Sequence, residues 1–231
     1  MLNFNLIKDK KNKKLYQTLY YHLTYIETLN NLDELENHLN NMKSYLNGYT
    51  SKDKIFKNLR KVHLNNLYLN TNYFIDFINY KMKLIQNLEI TQFNDLNNYA
   101  INTSKLGYLL LITNKNNNLN LEAIKELSII DSLSYILLNY NDLLLNNKIH
   151  FAKQDIKDFN LIKDKNGYVI NLSLLSLWNR ISKKVKDSLN NYKKAIIFFD
   201  DCLILLINDY LSNVTKSLND YSHKTFSFLA E

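Results

Sequence analysis

The chain predicts an all-α fold, a single-domain bundle (residues 1–231) of roughly eight helices. Two observations carry this. There is no proline among the 231 residues and only three glycines, whereas sheet-rich folds use both residues freely at turns and strand ends. Apolar residues also recur at the three-and-four spacing of a helix face over most of the length. The best candidate for an extended piece is short, Ile149–Ala152.

The elements follow in order. Leu15, Leu19, Leu23 and Ile26 form the first stripe. Leu32, Leu35, Leu39, Met42 and Leu46 form a second, which Gly48 stops. Ile55, Leu59 and Val62 begin a third, continuing through Leu67, and Phe74 to Ile85 make a fourth. Thr91 is an N-cap for a fifth helix that runs past Gly107 to Leu111. Residues 114–120 are Asn-rich and aperiodic, a loop. Asn120 caps the next helix, which has Glu122 in its first turn and ends near Leu138. Lys163–Gly167 is a turn, and two helices close the chain, Leu172–Leu189 and about Tyr192 to Tyr221. This much periodic apolar surface predicts a substantial core without staples or metals.

Composition narrows the function classes. Asn is about one residue in six. Its side chain competes with helical hydrogen bonds, so its abundance points to an AT-rich genome whose codons favour Asn, Lys, Ile and Tyr. The single Cys202 excludes a disulfide framework. A net charge of +7 and a pI near 9.1 fit contact with rRNA or anionic lipid, although the same codon bias also supplies lysine. The most apolar run, Ala195–Ile207, is too short to span a bilayer and contains Asp200 and Asp201. The N-terminus has no signal-peptide core and is poor in Arg and Ser.

Few residues qualify for chemistry. His22, His38, His63, His150 and His223 are scattered, none with a second His or a Cys at metal-ligand spacing. No Gly-rich phosphate loop and no serine nucleophile elbow exist. Cys202 and Trp178 read as core residues on apolar helix faces. Asp200 and Asp201, being adjacent on a helix, point about 100° apart and do not form a chelating pair. Asp155 and Asp158 read as a solvated helix start in preference to a cation site. Two Lys-rich runs, Lys8, Lys10, Lys11, Lys13 and Lys14, then Lys183, Lys184, Lys186, Lys193 and Lys194, read as solvated faces in preference to surfaces that contact phosphates. With only Arg60 and Arg180, sequence-specific nucleic-acid readout is not expected.

Three segments carry a resemblance. Asn94–Leu111, NDLNNYAINTSKLGYLLL, resembles the pattern eeLxxYaxxtaxxvGxLxl of the squalene/phytoene synthase family. Within Asp131–Asp155, LSYILLN and NKIHFAKQD resemble that family's LTNILRD and GRxYLPxD. Residues 66–85 resemble the segment that precedes them in the family, and the C-terminal helix pair also fits, so the likeness covers most of the chain. It implies an isoprenoid-synthase-like helical fold. In that family two Asp-rich motifs on facing helices hold magnesium ions and a prenyl diphosphate, chemistry that requires several carboxylates. Here Asn139 and Leu143 stand where the second motif has Asp, Leu138 replaces its Arg, and Asp142 lies one residue out of register. In the first motif's region, Tyr20–Leu29, Glu27 is the only acid.

The resemblance with these losses implies a pseudoenzyme without catalytic residues, metal or cofactor, similar to the squalene/phytoene-synthase-like assembly factor of mitochondrial respiratory complex I. Expected partners are other protein subunits of a mitochondrial complex, at the matrix or inner-membrane periphery. Two rivals stand beside it. One is a divergent Mg-dependent prenyl diphosphate transferase using Glu27, Asp142 and Asp155. The other is a mitochondrial ribosome-associated protein holding rRNA through its Lys-rich runs. Leu106, Leu109, Ile136 and Leu137 suit either a lipid pocket or plain core.

Overall fold

A computed structural model describes residues 2–86, 90–114, 120–145, 151–164, 167–195 and 200–226, with the side chains of 140–145, 163–164, 167–168, 194–195 and 223–226 outside that description. Ten α-helices occur among these residues. The first four, α1 (Lys10–Thr28), α2 (Leu32–Leu46), α3 (Lys54–Leu64) and α4 (Asn72–Ile85), follow the predicted stripes. Three of them start at a side-chain cap: Asp9 accepts from the backbone N–H of Asn12, Asn31 from that of Glu34, and Asp53 from that of Ile55. Gly48 ends the α2 segment with φ +87, a left-handed conformation that suits glycine. α3 stops at Leu64, short of Leu67.

The predicted fifth helix is two, α5 (Phe93–Thr103) and α6 (Lys105–Thr113). The break is at Ser104, whose backbone is extended and whose Oγ accepts from the N–H of Gly107 at 2.9 Å. That hydroxyl donates in turn to Asp131 Oδ2 at 2.8 Å, so a residue distant in sequence holds the break open. Thr91 is not the cap of α5. Asp95 closes that end by accepting from the Thr91 hydroxyl and from the N–H groups of Gln92 and Thr91, bonds that lower its pKa.

α7 (Leu121–Leu145) begins as predicted, with Asn120 Oδ1 accepting from the N–H of Ala123. The chain continues helically past Leu138, but Asn139 leaves the helical region at φ −126, ψ 17. Of the extended segment Ile149–Ala152, Ile149 and His150 lie outside the described residues, and Ala152 is extended. The short α8 (Lys153–Asp158) follows. The Lys163–Gly167 turn lies in a small antiparallel hairpin, Lys163–Asp164 (β1) against Gly167–Tyr168 (β2). Tyr192 belongs to α9 (Leu172–Ala195), and α10 is Asp201–Phe226. Asp200 and Asp201 therefore do not sit inside one helix. Asp200 precedes α10 and accepts from the N–H of Cys202 at 3.0 Å. Cys202 is half-buried, with Asn12 donating to its Sγ, so it is not the fully buried hydrophobe predicted.

One hydrophobic cluster runs from Leu2 to Leu218. α7 is its central element and packs against α5, α6, α9 and α10, while α1 packs against α3, α4 and α6. At Gly107, α6 lies so near α7 that an added Cβ would clash with Ser128 Oγ. Trp178 is buried in this cluster as predicted. No helix among the described residues is long and apolar enough to cross a membrane.

Candidate functional site

The ends of α1 and α6 and the middle of α7 meet around a polar cluster. Glu27, in the last turn of α1, forms an ion pair with Lys105, the first residue of α6. The Lys105 ammonium also lies 5.7 Å from the centroid of the Tyr20 ring. Lys81 of α4 donates to the backbone carbonyls of Ile26, which also accepts from the N–H of Leu29, and of Glu27, adding donors at the end of α1. Two of the cations in this cluster thus come from neighbouring helices and are spent on the end of α1.

One layer deeper, Asp131 of α7 collects donors from two other helices. Its Oδ2 accepts from Ser104 Oγ at 2.8 Å and from the N–H of Leu106 at 3.4 Å. Its Oδ1 accepts from the Tyr210 hydroxyl of α10 at 2.6 Å. Burial, then the charge and hydrogen bond of Asp131, push the Tyr210 hydroxyl far above its ordinary pKa. Burial, then the carboxylates of Asp131 and Glu27, do the same to Tyr20. Both phenols therefore stay protonated and can donate hydrogen bonds but not act as bases near neutral pH.

Asn139 sits two turns beyond Asp131, and its side-chain amide donates to the Tyr135 carbonyl of its own helix at 2.9 Å. The side chains of Asp142 and Leu143 lie outside the described residues. Magnesium requires a near-octahedral set of oxygens, chiefly carboxylates and water. Among the described side chains the oxygens near Glu27 and Asn139 do not fit that demand. Glu27 is held by an ammonium, Asp131 already accepts three donors, and the Asn139 amide is turned onto its helix. Among the described residues no group of three or more His, Cys, Asp or Glu side chains is arranged to hold a metal ion.

Asp155 departs from its predicted solvated helix start. It is buried, and Arg180 of α9 donates to its Oδ1 at 2.6 Å. The guanidinium also stacks over Phe93, 4.5 Å from the ring centroid. The pair ties α8 to α9. Burial raises the Asp155 pKa, with Arg180 opposing. Leu106, Leu109, Ile136 and Leu137 are all buried in the main cluster.

Sequence reasoning missed a histidine pair. His22 of α1 and His38 of α2 are far apart in the chain yet meet Nε2 to Nε2 at 3.2 Å. Phe56 and Phe74 pack against His22. Burial lowers the pKa to about 3 for His22 and about 4 for His38. Their only sequence signal is that each falls on its helix's apolar stripe, three residues from Leu19 and Leu35 respectively.

The basic runs separate. Lys10, Lys11 and Lys14 are exposed on the first turns of α1, where Lys13 donates to Asn5 Oδ1. Lys183 and Lys186 are exposed and Lys184 half-buried on α9.

No protein-family profile and no curated protein sequence matches this chain. A search of solved structures finds a dehydrosqualene synthase, crystallised in complex with a ligand, at a TM-score of 0.82. The match covers 96% of this chain and 81% of that one, at 16% sequence identity. The two proteins share a fold.

Proposed function

We propose that this chain, which has the fold of a dehydrosqualene synthase, is a pseudoenzyme. On this reading it is a structural subunit or assembly factor of a mitochondrial protein complex and acts through protein contacts. The observation that supports it best is the Glu27–Lys105 pair. The only carboxylate in the first motif region is neutralised by a lysine from the start of α6, where a diphosphate-binding magnesium cluster needs free acidic oxygens. Asn139, turned onto its own helix, adds to this.

The fold likeness itself favours a second reading, a divergent prenyl diphosphate transferase. One experiment separates the two. Purified protein is titrated with Mg²⁺ and a prenyl diphosphate analogue by calorimetry, while the native protein is captured from mitochondria and its partners identified. The pseudoenzyme reading expects no Mg²⁺-dependent heat at millimolar Mg²⁺ and a stable set of subunits. Mg²⁺-dependent analogue binding that is lost in Glu27→Gln overturns it.

A further inference from the structure

The positive charge of this protein is local. Residues 8–14 and 52–61 hold ten Lys or Arg against two Asp, a charge of +8, and the other 19 basic and 20 acidic residues balance to −1. A codon bias toward lysine would spread charge along the chain. Here it gathers most densely in two segments that the fold packs together, the start of α1 and the first part of α3 with the two residues before it, with a smaller excess on α9 at residues 183–194. Their two acids, Asp9 and Asp53, are both engaged as N-caps.

The face has shape as well as charge. Lys11 and Lys14 of α1 meet Lys61, Asn65 and Asn66 around a recess of about 70 Å³. On the other flank of α3, Lys52, Lys57 and Arg60 share a recess of about 350 Å³ with Tyr45 and Tyr49. Phe56, Leu59 and Val62 point α3's apolar side into the core. Leu64 does not join them. It follows Lys57, Arg60 and Lys61 by seven, four and three residues, so it shares their outward face. It is 63% exposed. Leu67, just past the helix, is 78% exposed, and Tyr49, just before it, 71%.

We propose that the α1–α3 face docks on an anionic phospholipid membrane. Interfacial binding adds buried apolar area to attraction for anionic headgroups, and this face offers both within one helix and its flanks. The recesses place two or three cations around a headgroup phosphate while Leu64, Leu67 and Tyr49 enter the headgroup layer. A nucleic-acid surface would use aromatic stacking and arginine. This face has one arginine and one strongly exposed aromatic, and two aliphatic side chains that a phosphate backbone does not use. The inference does not depend on the pseudoenzyme reading.

The test is flotation of the full chain with vesicles of phosphatidylcholine alone, and of two parts phosphatidylcholine to one part phosphatidylglycerol. The protein is expected to float with the anionic vesicles only. Each cation near such a surface is worth about fivefold in affinity, so Lys57→Gln with Arg60→Gln and Lys61→Gln is expected to weaken binding ~100-fold. Leu64→Ser with Leu67→Ser, which leaves the charge unchanged, is expected to weaken it severalfold. Lys183→Glu with Lys184→Glu and Lys186→Glu on α9 is expected to leave it unchanged. Equal binding to neutral vesicles, an equal loss from the α9 variant, or no loss from the leucine variant overturns the proposal. So does tighter binding to single-stranded RNA that ignores the leucine changes, which would make this a nucleic-acid surface.

Discussion

His22 and His38 face each other Nε2 to Nε2 at 3.2 Å inside the α1–α2 contact, with 1% and 4% of their surfaces exposed. One ring donates and the other accepts, an arrangement that requires at least one neutral imidazole. Burial holds both pKa values down, to about 3 and about 4, from the ordinary 6.5. The unfolded chain therefore binds more protons than the folded one below pH 6.5. The stability these rings confer is present above that pH and is lost as pH falls toward 4. The expected loss between pH 7 and pH 5 is about 2 kcal/mol per ring. Urea unfolding across this range measures it. A variant with His22→Phe and His38→Leu should flatten the slope, and an unchanged slope would disprove the assignment.

Gly107 lets α6 lie against α7. A Cβ there would meet Ser128 Oγ, which is itself fixed by donation to the Ile124 carbonyl at 2.7 Å. Gly107→Ala is expected to destabilise the protein by about 1–3 kcal/mol through overpacking. Ser128→Gly added to it should recover much of that loss. A double-mutant cycle by thermal unfolding gives the coupling, and additivity would count against the clash.

Arg180→Met should be more harmful than Asp155→Asn. Removing the guanidinium leaves Asp155 buried without its partner, an expected loss of about 3 kcal/mol or more. Asp155→Asn removes the buried charge and keeps an acceptor for Arg180. Chemical denaturation of both variants ranks them, and the reverse order would refute this account of the pair.

Asp131 joins α6, α7 and α10 through charge-assisted hydrogen bonds from Ser104 and Tyr210. Tyr210→Phe is expected to lower stability by about 1–3 kcal/mol. Because Ser104 needs Asp131 to hold the α5–α6 break, Asp131→Ala should also speed amide exchange at Gly107. Hydrogen exchange read by mass spectrometry checks this, and protection equal to the wild type would contradict it.

Glu27→Gln should change stability by less than about 1 kcal/mol, because an exposed ion pair contributes little. A larger loss, read by calorimetry, would mean that the pair with Lys105 is a structural clasp and not only a neutralised acid.

The helical class, the first four helices and the Asn120 cap of α7 were legible in the sequence, because stripe spacing and local capping depend on residues within a few positions of one another. Other features were not. The break at Ser104, the burial of Asp155, the Glu27–Lys105 pair and the His22–His38 contact each depend on a partner from another helix. Asp155 followed by Asp158 resembles a solvated helix start until Arg180 arrives from α9. A serine inside an apolar periodic run carries no sign that Asp131 will draw its hydroxyl away from the helix.

By itself the sequence determined that this protein is helical, basic and poor in the carboxylates its resemblance calls for. Periodicity, charge and residue identity are properties of the chain. Only the tertiary structure decided that Glu27 is neutralised by Lys105, and that the charge of two separated segments falls on the one α1–α3 face. Both are distances between residues remote in sequence, set by how the helices pack, and no local pattern encodes them.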